Sequence, residues 1–163
     1  MTIRVHTDRI EFNDFTITAT ETGIAINGKL QSYGTEELPQ SVFQGSNFGY
    51  ASGGFPATNI IDKFPFAADA NATDIGDLTQ IRSGTTGQSS TENGYSSGGF
   101  SSSVPGRVTT IDKFPFATDT NATIVGDLTQ ARNGAAGQSS AISGYTSGGF
   151  APPYVNTIDK FPF

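Results

Sequence analysis

The feature that most constrains this chain is a long internal repeat. Residues 61–100 align without a gap on residues 111–150, and 28 of these 40 positions are identical. A third copy begins with IDKFPF at Ile158, and GYASGGF at residues 49–55 belongs to a weaker, earlier copy. Self-similarity at a fixed period of 20–50 residues is typical of arrays of small structural units. The sequence therefore predicts a tandem array rather than one irregular domain.

Turn residues divide each repeat into four short candidate strands. Hydrophobic residues make up 35% of the chain and charged residues 15%, which suits short strands joined by many turns. An all-β fold built from four-stranded units is therefore expected. In the central repeat the strands are predicted around residues 85–90, before Gly98 and Gly99, from Thr109 to Phe116, and from Thr123 to Ala131.

Large side chains are expected on both faces of the third strand. Ile111 and Phe114 are three positions apart, so they point in opposite directions along a strand. A sheet with two apolar faces must be covered on both sides. Each small sheet is therefore expected to lie between two neighbouring sheets.

The order of these motifs resembles the kelch repeat of β-propellers. In the central unit, Tyr95 precedes a double glycine, a variable loop, an Ile-Asp-x-Phe strand, a Gly-x-Leu strand and finally Arg132. The resemblance covers about residues 39–163 and implies about three kelch-like blades, at about 39–82, 83–132 and 133–163. The tryptophan usual in kelch repeats is absent, because the chain contains none.

A second resemblance concerns the strings GQSS, GYTSGG and IDKFPFATD. They are similar to repeat arrays in virion structural proteins of marine tailed phages. This resemblance implies a protein of the virion, made in the host cytoplasm and placed in a tail fibre, neck appendage or head decoration.

The ends of the array suggest oligomerisation. Residues 24–38 are predicted to supply the strand that completes the last blade, since Gly28-x-Leu30 matches Gly126-x-Leu128. Three blades are too few for a ring, which needs about 4–8, so a homo-oligomer is expected. A six-bladed dimer and a fibre-like trimer both remain open. Residues 1–23 predict a β-hairpin around Asn13 and Asp14, which is either an anchor or an element packed on the same domain.

Little in the sequence supports catalysis. His6 is the only histidine and there is no cysteine, so a Ser-His-Asp arrangement would have to use His6. The recurring aspartates, Asp62, Asp112 and Asp159, are interpreted as structural, satisfying turns or pairing locally. We predict a non-enzymatic protein without catalytic residues, cofactor or assigned metal site.

Two other features bear on partners. Oxygen-bearing side chains alternate at Asp69, Asn71 and Thr73, and again at Asp119, Asn121 and Thr123. Asx-turns account for this pattern, and calcium binding is left open. A net charge of −6 with nine scattered Lys and Arg residues gives no basic stripe for nucleic acid. No apolar run reaches the ~20 residues needed to insert into a membrane.

The loops between the double glycine and IDKFPF differ most between repeats. They span residues 55–60, 100–110 and 150–157, and their aromatic and proline side chains offer rigid contact surface. The leading interpretation is a rigid scaffold for virion assembly and presentation, and the alternative is recognition of a host-surface glycan through these loops. The candidate ligand- or partner-binding residues are Phe55, Pro56, Phe100, Arg107, Phe150, Pro152, Pro153 and Tyr154.

Overall fold

A computed structural model describes five short strands before residue 32 and then residues 47–163, apart from residues 102 and 105. The chain forms two compact units, Met1–Val42 and Phe43–Phe163. All regular structure in the described residues is β-strand, arranged in several antiparallel sheets, so the predicted all-β fold is confirmed. No helix in the described part of the chain is long and apolar enough to cross a bilayer.

The first unit contains a five-stranded sheet in which each strand pairs with its neighbour in sequence. The expected hairpin is formed by β2 and β3, with Ile10 opposite Ile17; its turn and His6 lie outside the described residues. The strands are β1 Arg4–Val5, β2 Arg9–Glu11, β3 Thr16–Thr20, β4 Gly23–Ile26 and β5 Lys29–Gln31.

The first part of residues 24–38, which is predicted to complete the last blade, lies in this sheet. There β4 and β5 pair with β3 and with each other, and completion of a blade by these residues stays a prediction. Residues 27–28 and 32–38 lie outside the described part.

The second unit contains three sheets, each with antiparallel strands. Sheet 1 consists of β6 Phe48–Ser52, β7 Thr58–Pro65, β8 Thr73–Ser83, β11 Phe100–Ser101 and β12 Gly106–Arg107. Sheet 2 consists of β9 Thr86–Ser89, β10 Asn93–Ser97, β13 Thr110–Pro115 and β14 Thr123–Asp127. Sheet 3 consists of β15 Ala136–Ser139, β16 Ser143–Ser147 and β17 Ile158–Pro162.

Sheet 2 contains the four strands predicted for the central repeat, in the order β14-β13-β10-β9, but β14 ends at Asp127 and not at Ala131 as predicted. The corresponding strand of sheet 1, β8, is longer because Arg82 and Ser83 pair with Ser101 and Phe100 of the next repeat. The variable loop after the double glycine thus adds a small hairpin, β11 and β12, to the preceding sheet. The predicted boundary at residue 83 is therefore crossed by strand pairing.

Sheet 2 is covered on both faces, as Ile111 and Phe114 predict. Phe114 packs in one cluster with Ile61 and Leu78 of sheet 1. Ile111 packs in a second cluster with Tyr95 and Leu128, against the Phe161 and Phe163 rings of the third repeat. The sheets follow one another as a stack, and within residues 47–163 they form no closed ring.

The glycine of each GY motif has a packing role. A Cβ on Gly94 would overlap the Phe114 ring, which lies flat across the backbone of the adjacent strand. The same arrangement joins Gly49 to Phe64 and Gly144 to Phe161. Cores are close-packed, so a side chain at this position would displace the ring. The repeated glycine leaves room for the phenylalanine of the neighbouring strand in the same sheet.

Candidate functional site

A buried ion pair joins sheet 1 to sheet 2. Arg82, near the end of β8, places Nη2 2.6 Å from the Asp112 Oδ2 of β13, and both side chains are 0% exposed. Thr79 donates to the same carboxylate through its backbone N–H at 3.0 Å and its hydroxyl at 2.7 Å. The guanidinium also donates to the backbone carbonyls of Ser96, Gly98 and Thr110. Both charges are therefore compensated where no water reaches them.

The same contact joins sheet 2 to sheet 3. Arg132 Nη1 lies 2.8 Å from Asp159 Oδ2, and Thr129 donates to this carboxylate from its N–H and its hydroxyl. The recurring aspartates are thus structural, but local pairing is the wrong description for Asp112 and Asp159. Each accepts from an arginine and a threonine of the preceding repeat, at separations of 27 to 33 positions.

Burial affects the arginine directly. Desolvation lowers the pKa of Arg82, while the Asp112 carboxylate acts in the opposite direction. A guanidinium titrates far above neutral pH in water, so Arg82 stays charged and needs its partner at every physiological pH.

Peripheral contacts complete the junction between sheets 1 and 2. Lys63 Nζ lies 3.0 Å from Asp119 Oδ1, and Asn121 Oδ1 accepts the Asp77 N–H at 3.0 Å. Two oxygens of the alternating Asp-Asn-Thr segment are therefore engaged in contacts with sheet 1. In the described part of the chain, no group of three or more His, Cys, Asp or Glu residues is placed to hold a metal ion.

Aromatic stacking lies beside these polar contacts. Tyr50 stacks on Phe116 with ring centroids 4.6 Å apart, and Tyr95 stacks on Phe163 at 4.8 Å. Burial raises the pKa of the Tyr50 phenol; the nearby Lys63 lowers it, and Asp119 raises it further. The two junctions thus have the same aromatic contacts as well as the same charged contacts.

The structure brings three of the predicted loop residues together. The Arg107 guanidinium lies 4.3 Å from the centre of the Phe150 ring, within the range of a cation–π interaction. Its Nε donates to Asn133 Oδ1 at 2.8 Å. Phe150 in turn contacts Tyr154 with ring centroids 4.9 Å apart, and Tyr154 is 80% exposed. We call Arg107, Phe150 and Tyr154 the loop strip.

The other candidate residues are placed around the strip or apart from it. Pro152 and Pro153, joined by a cis peptide bond, form the exposed turn between Phe150 and Tyr154. Phe100 is partly exposed and pairs with Arg107 across β11 and β12. Phe55 and Pro56 lie in a loop of sheet 1, where Phe55 is almost fully exposed.

Sequence reasoning assigned no role to the residues that donate to the aspartates. Thr79 and Thr129 occupy one repeat position, and Arg82 and Arg132 another, so the signal was present in the alignment. Gln88 was missed as well; its amide donates to Tyr145 O at 3.0 Å and to Thr146 Oγ1 at 2.8 Å, across the next junction.

No family model matches the sequence, and no curated protein matches it either.

Proposed function

We propose that this chain is a non-enzymatic virion structural protein of a tailed phage. It acts as a rigid β-rich scaffold for assembly and presentation within a tail fibre, neck appendage or head decoration. The observation that carries the proposal is the buried Arg–Thr–Asp contact, present at both junctions of the stack. Copied charged residues that might suggest chemistry have structural partners there, which favours a scaffold over an active site.

The proposal includes an account of shape and partners. The three sheets are interpreted as kelch-like blades, and the ring is completed by further copies of the chain. Repeat arrays gain stability from contacts between nearest neighbours, and a buried ion pair at each junction fixes their register. The expected partners are other copies and other virion proteins, and the site of action is the virion.

Immunogold labelling of purified virions tests this role. Antibodies against the chain should label particles of the phage that encodes it at one defined substructure. Mass spectrometry of the same particles should detect the chain in a fixed ratio to the major capsid protein. Absence from washed particles, with abundant protein in the lysate, would contradict the proposal.

A second function, recognition of a host-surface glycan, is favoured by the loop strip. An exposed tyrosine backed by a second ring, with a guanidinium on that ring, offers a stacking surface and hydrogen-bond donors together. Rigid turns beside it limit the entropy lost on binding. This function is compatible with the scaffold, since the strip uses none of the residues of the Arg–Thr–Asp contacts.

Tyr154→Ala should abolish glycan binding if the strip is a recognition site. We expect at least a tenfold loss of affinity, about 1.4 kcal/mol, because the exposed stacking ring is removed. A glycan array followed by calorimetry on the best ligand provides the measurement. Ile142→Ala removes a similarly exposed apolar side chain outside the variable loops and should leave binding unchanged. Equal loss in both variants, or no binding by the unmodified chain, would remove the support for this function.

A further inference from the structure

Arg107 differs from the other two arginines of residues 47–163. Arg82 and Arg132 are buried, and their guanidinium nitrogens lie 2.6 and 2.8 Å from aspartate carboxylates. Arg107 is half-buried, and no acidic side chain among the described residues forms an ion pair with it. The chain as a whole has a net charge of −6. Its most variable loop thus carries a positive charge that the described part of the chain does not neutralise.

Two contacts hold the Arg107 guanidinium in one orientation. Its Nε donates to Asn133 Oδ1 at 2.8 Å, and its central carbon lies 4.3 Å from the centre of the Phe150 ring. Asn133 and Phe150 are themselves joined by two backbone hydrogen bonds. Neither Nη atom donates to a residue that the structure describes. The guanidinium therefore presents two donors whose orientation is fixed before a ligand arrives.

The hairpin of β11 and β12 fixes the backbone that carries Arg107. Phe100 is opposite Arg107 in this hairpin, and the Val108 N–H donates to Gly99 O at 3.0 Å. At its tip, the Ser101 hydroxyl accepts the Val104 N–H at 3.3 Å. The position of Arg107 is therefore set by its own hairpin as well as by the following repeat.

We infer that Arg107 binds the carboxylate of an acidic saccharide, a hexuronate or a sialic acid. The inference rests on the proposed recognition of a glycan by the loop strip and names the class of sugar. A guanidinium fork matches a carboxylate through two parallel N–H···O bonds. The Tyr154 ring, next to Phe150 in the strip, provides the flat surface for the sugar ring. Charge complementarity thus selects acidic over neutral saccharides.

Binding of matched saccharides by the full-length chain tests this selectivity. The probes are hexuronate and sialylated oligosaccharides, each beside a form in which the carboxylate is reduced to a hydroxymethyl group. We expect the acidic form of at least one pair to bind about tenfold more tightly than its reduced form, because only the carboxylate accepts charge-assisted bonds. Equal affinity within every pair would overturn the inference. So would equal binding of hexaglutamate, since that would indicate recognition of charge without the sugar.

Asn133→Asp gives an independent test within the protein. The aspartate would retain the acceptor for Arg107 Nε and would add a carboxylate that neutralises the guanidinium from inside the chain. Affinity for the acidic saccharide should fall about tenfold or more, while the midpoint of urea unfolding should not fall. Asn71→Asp is the matched control, because it makes the same change at an exposed position of sheet 1 and should leave binding unchanged. Full binding by Asn133→Asp would overturn the inference.

Arg107→Lys separates the fork from the charge. Lysine keeps the positive charge but has a single ammonium group instead of the planar pair of donors. Calorimetry with the acidic saccharide should therefore show a loss close to that of Asn133→Asp. Unchanged affinity in Arg107→Lys would mean that the fork does not hold the carboxylate.

Failure of the inference and failure of glycan recognition give different results. If no saccharide binds, both are refuted. If Tyr154→Ala abolishes binding but acidic and reduced saccharides bind equally, glycan recognition stands and the role of Arg107 is refuted alone.

Discussion

Asp112→Asn is expected to lower the free energy of unfolding of the second unit by about 3–5 kcal/mol, the usual cost of breaking a buried ion pair by removing one partner. Asparagine keeps the shape of the side chain but leaves the Arg82 guanidinium buried without a counter-charge. It also weakens the two hydrogen bonds from Thr79. Urea unfolding followed by circular dichroism measures the change, since the chain has no tryptophan.

Two variants sharpen this prediction. Asp119→Asn removes the other ion pair between the same sheets, but Asp119 is 57% exposed, so its loss should cost about 0–1 kcal/mol. Arg82→Met combined with Asp112→Leu removes both charges and should recover most of the stability, because no charge remains buried. If Asp112→Asn costs no more than Asp119→Asn, the buried pair is not what holds the sheets together.

The sequence predicted the structure best where the internal repeat and the alternation of side chains along a strand indicated the same arrangement. The double glycines and IDKFPF strings located the strands of sheet 2, because turns and alternation are local properties of the chain. Ile111 and Phe114 also predicted that this sheet is covered on both faces, as observed. These inferences need only the direction in which neighbouring side chains point.

Contacts between repeats were harder to predict. The alignment places Arg82 and Asp112 at fixed positions, but it does not say whether an aspartate meets the arginine of its own repeat or of the preceding one. That choice depends on how the sheets stack. The hairpin of β11 and β12 was missed for the same reason, since Phe100 pairs with Ser83 across the repeat boundary.

The candidate site was predicted in part. Loop length identified the segments that vary, but their unequal lengths hide the structural equivalence of Arg107 and Tyr154. Each pairs with the phenylalanine that follows its double glycine, Phe100 and Phe150 respectively. Only the stacking of the sheets brings Arg107 onto the ring of the next repeat. The sequence therefore identifies these residues one by one, but it does not show that they form the loop strip.

Gly137→Ala should destabilise the packing of sheet 3 on sheet 2, whereas Gly87→Ala, at the same repeat position, should not. A Cβ on Gly137 would overlap the Gly87 carbonyl oxygen, a backbone atom that cannot rotate away. Overpacking of this kind costs about 1–3 kcal/mol. A Cβ on Gly87 meets no atom within 4 Å, so its effect should stay within about 0.5 kcal/mol.

Urea unfolding of the two variants measures this difference, and hydrogen exchange locates it. The β15 strand is held on β9 by the Ser89 N–H, which donates to Ser139 Oγ at 3.0 Å, and by the Thr86 hydroxyl, which donates to Ala135 O at 3.1 Å. In Gly137→Ala, exchange should accelerate at these strands first, because the added methyl group separates them. Equal stability of the two variants would mean that β9 and β15 do not stack backbone to backbone at Gly137.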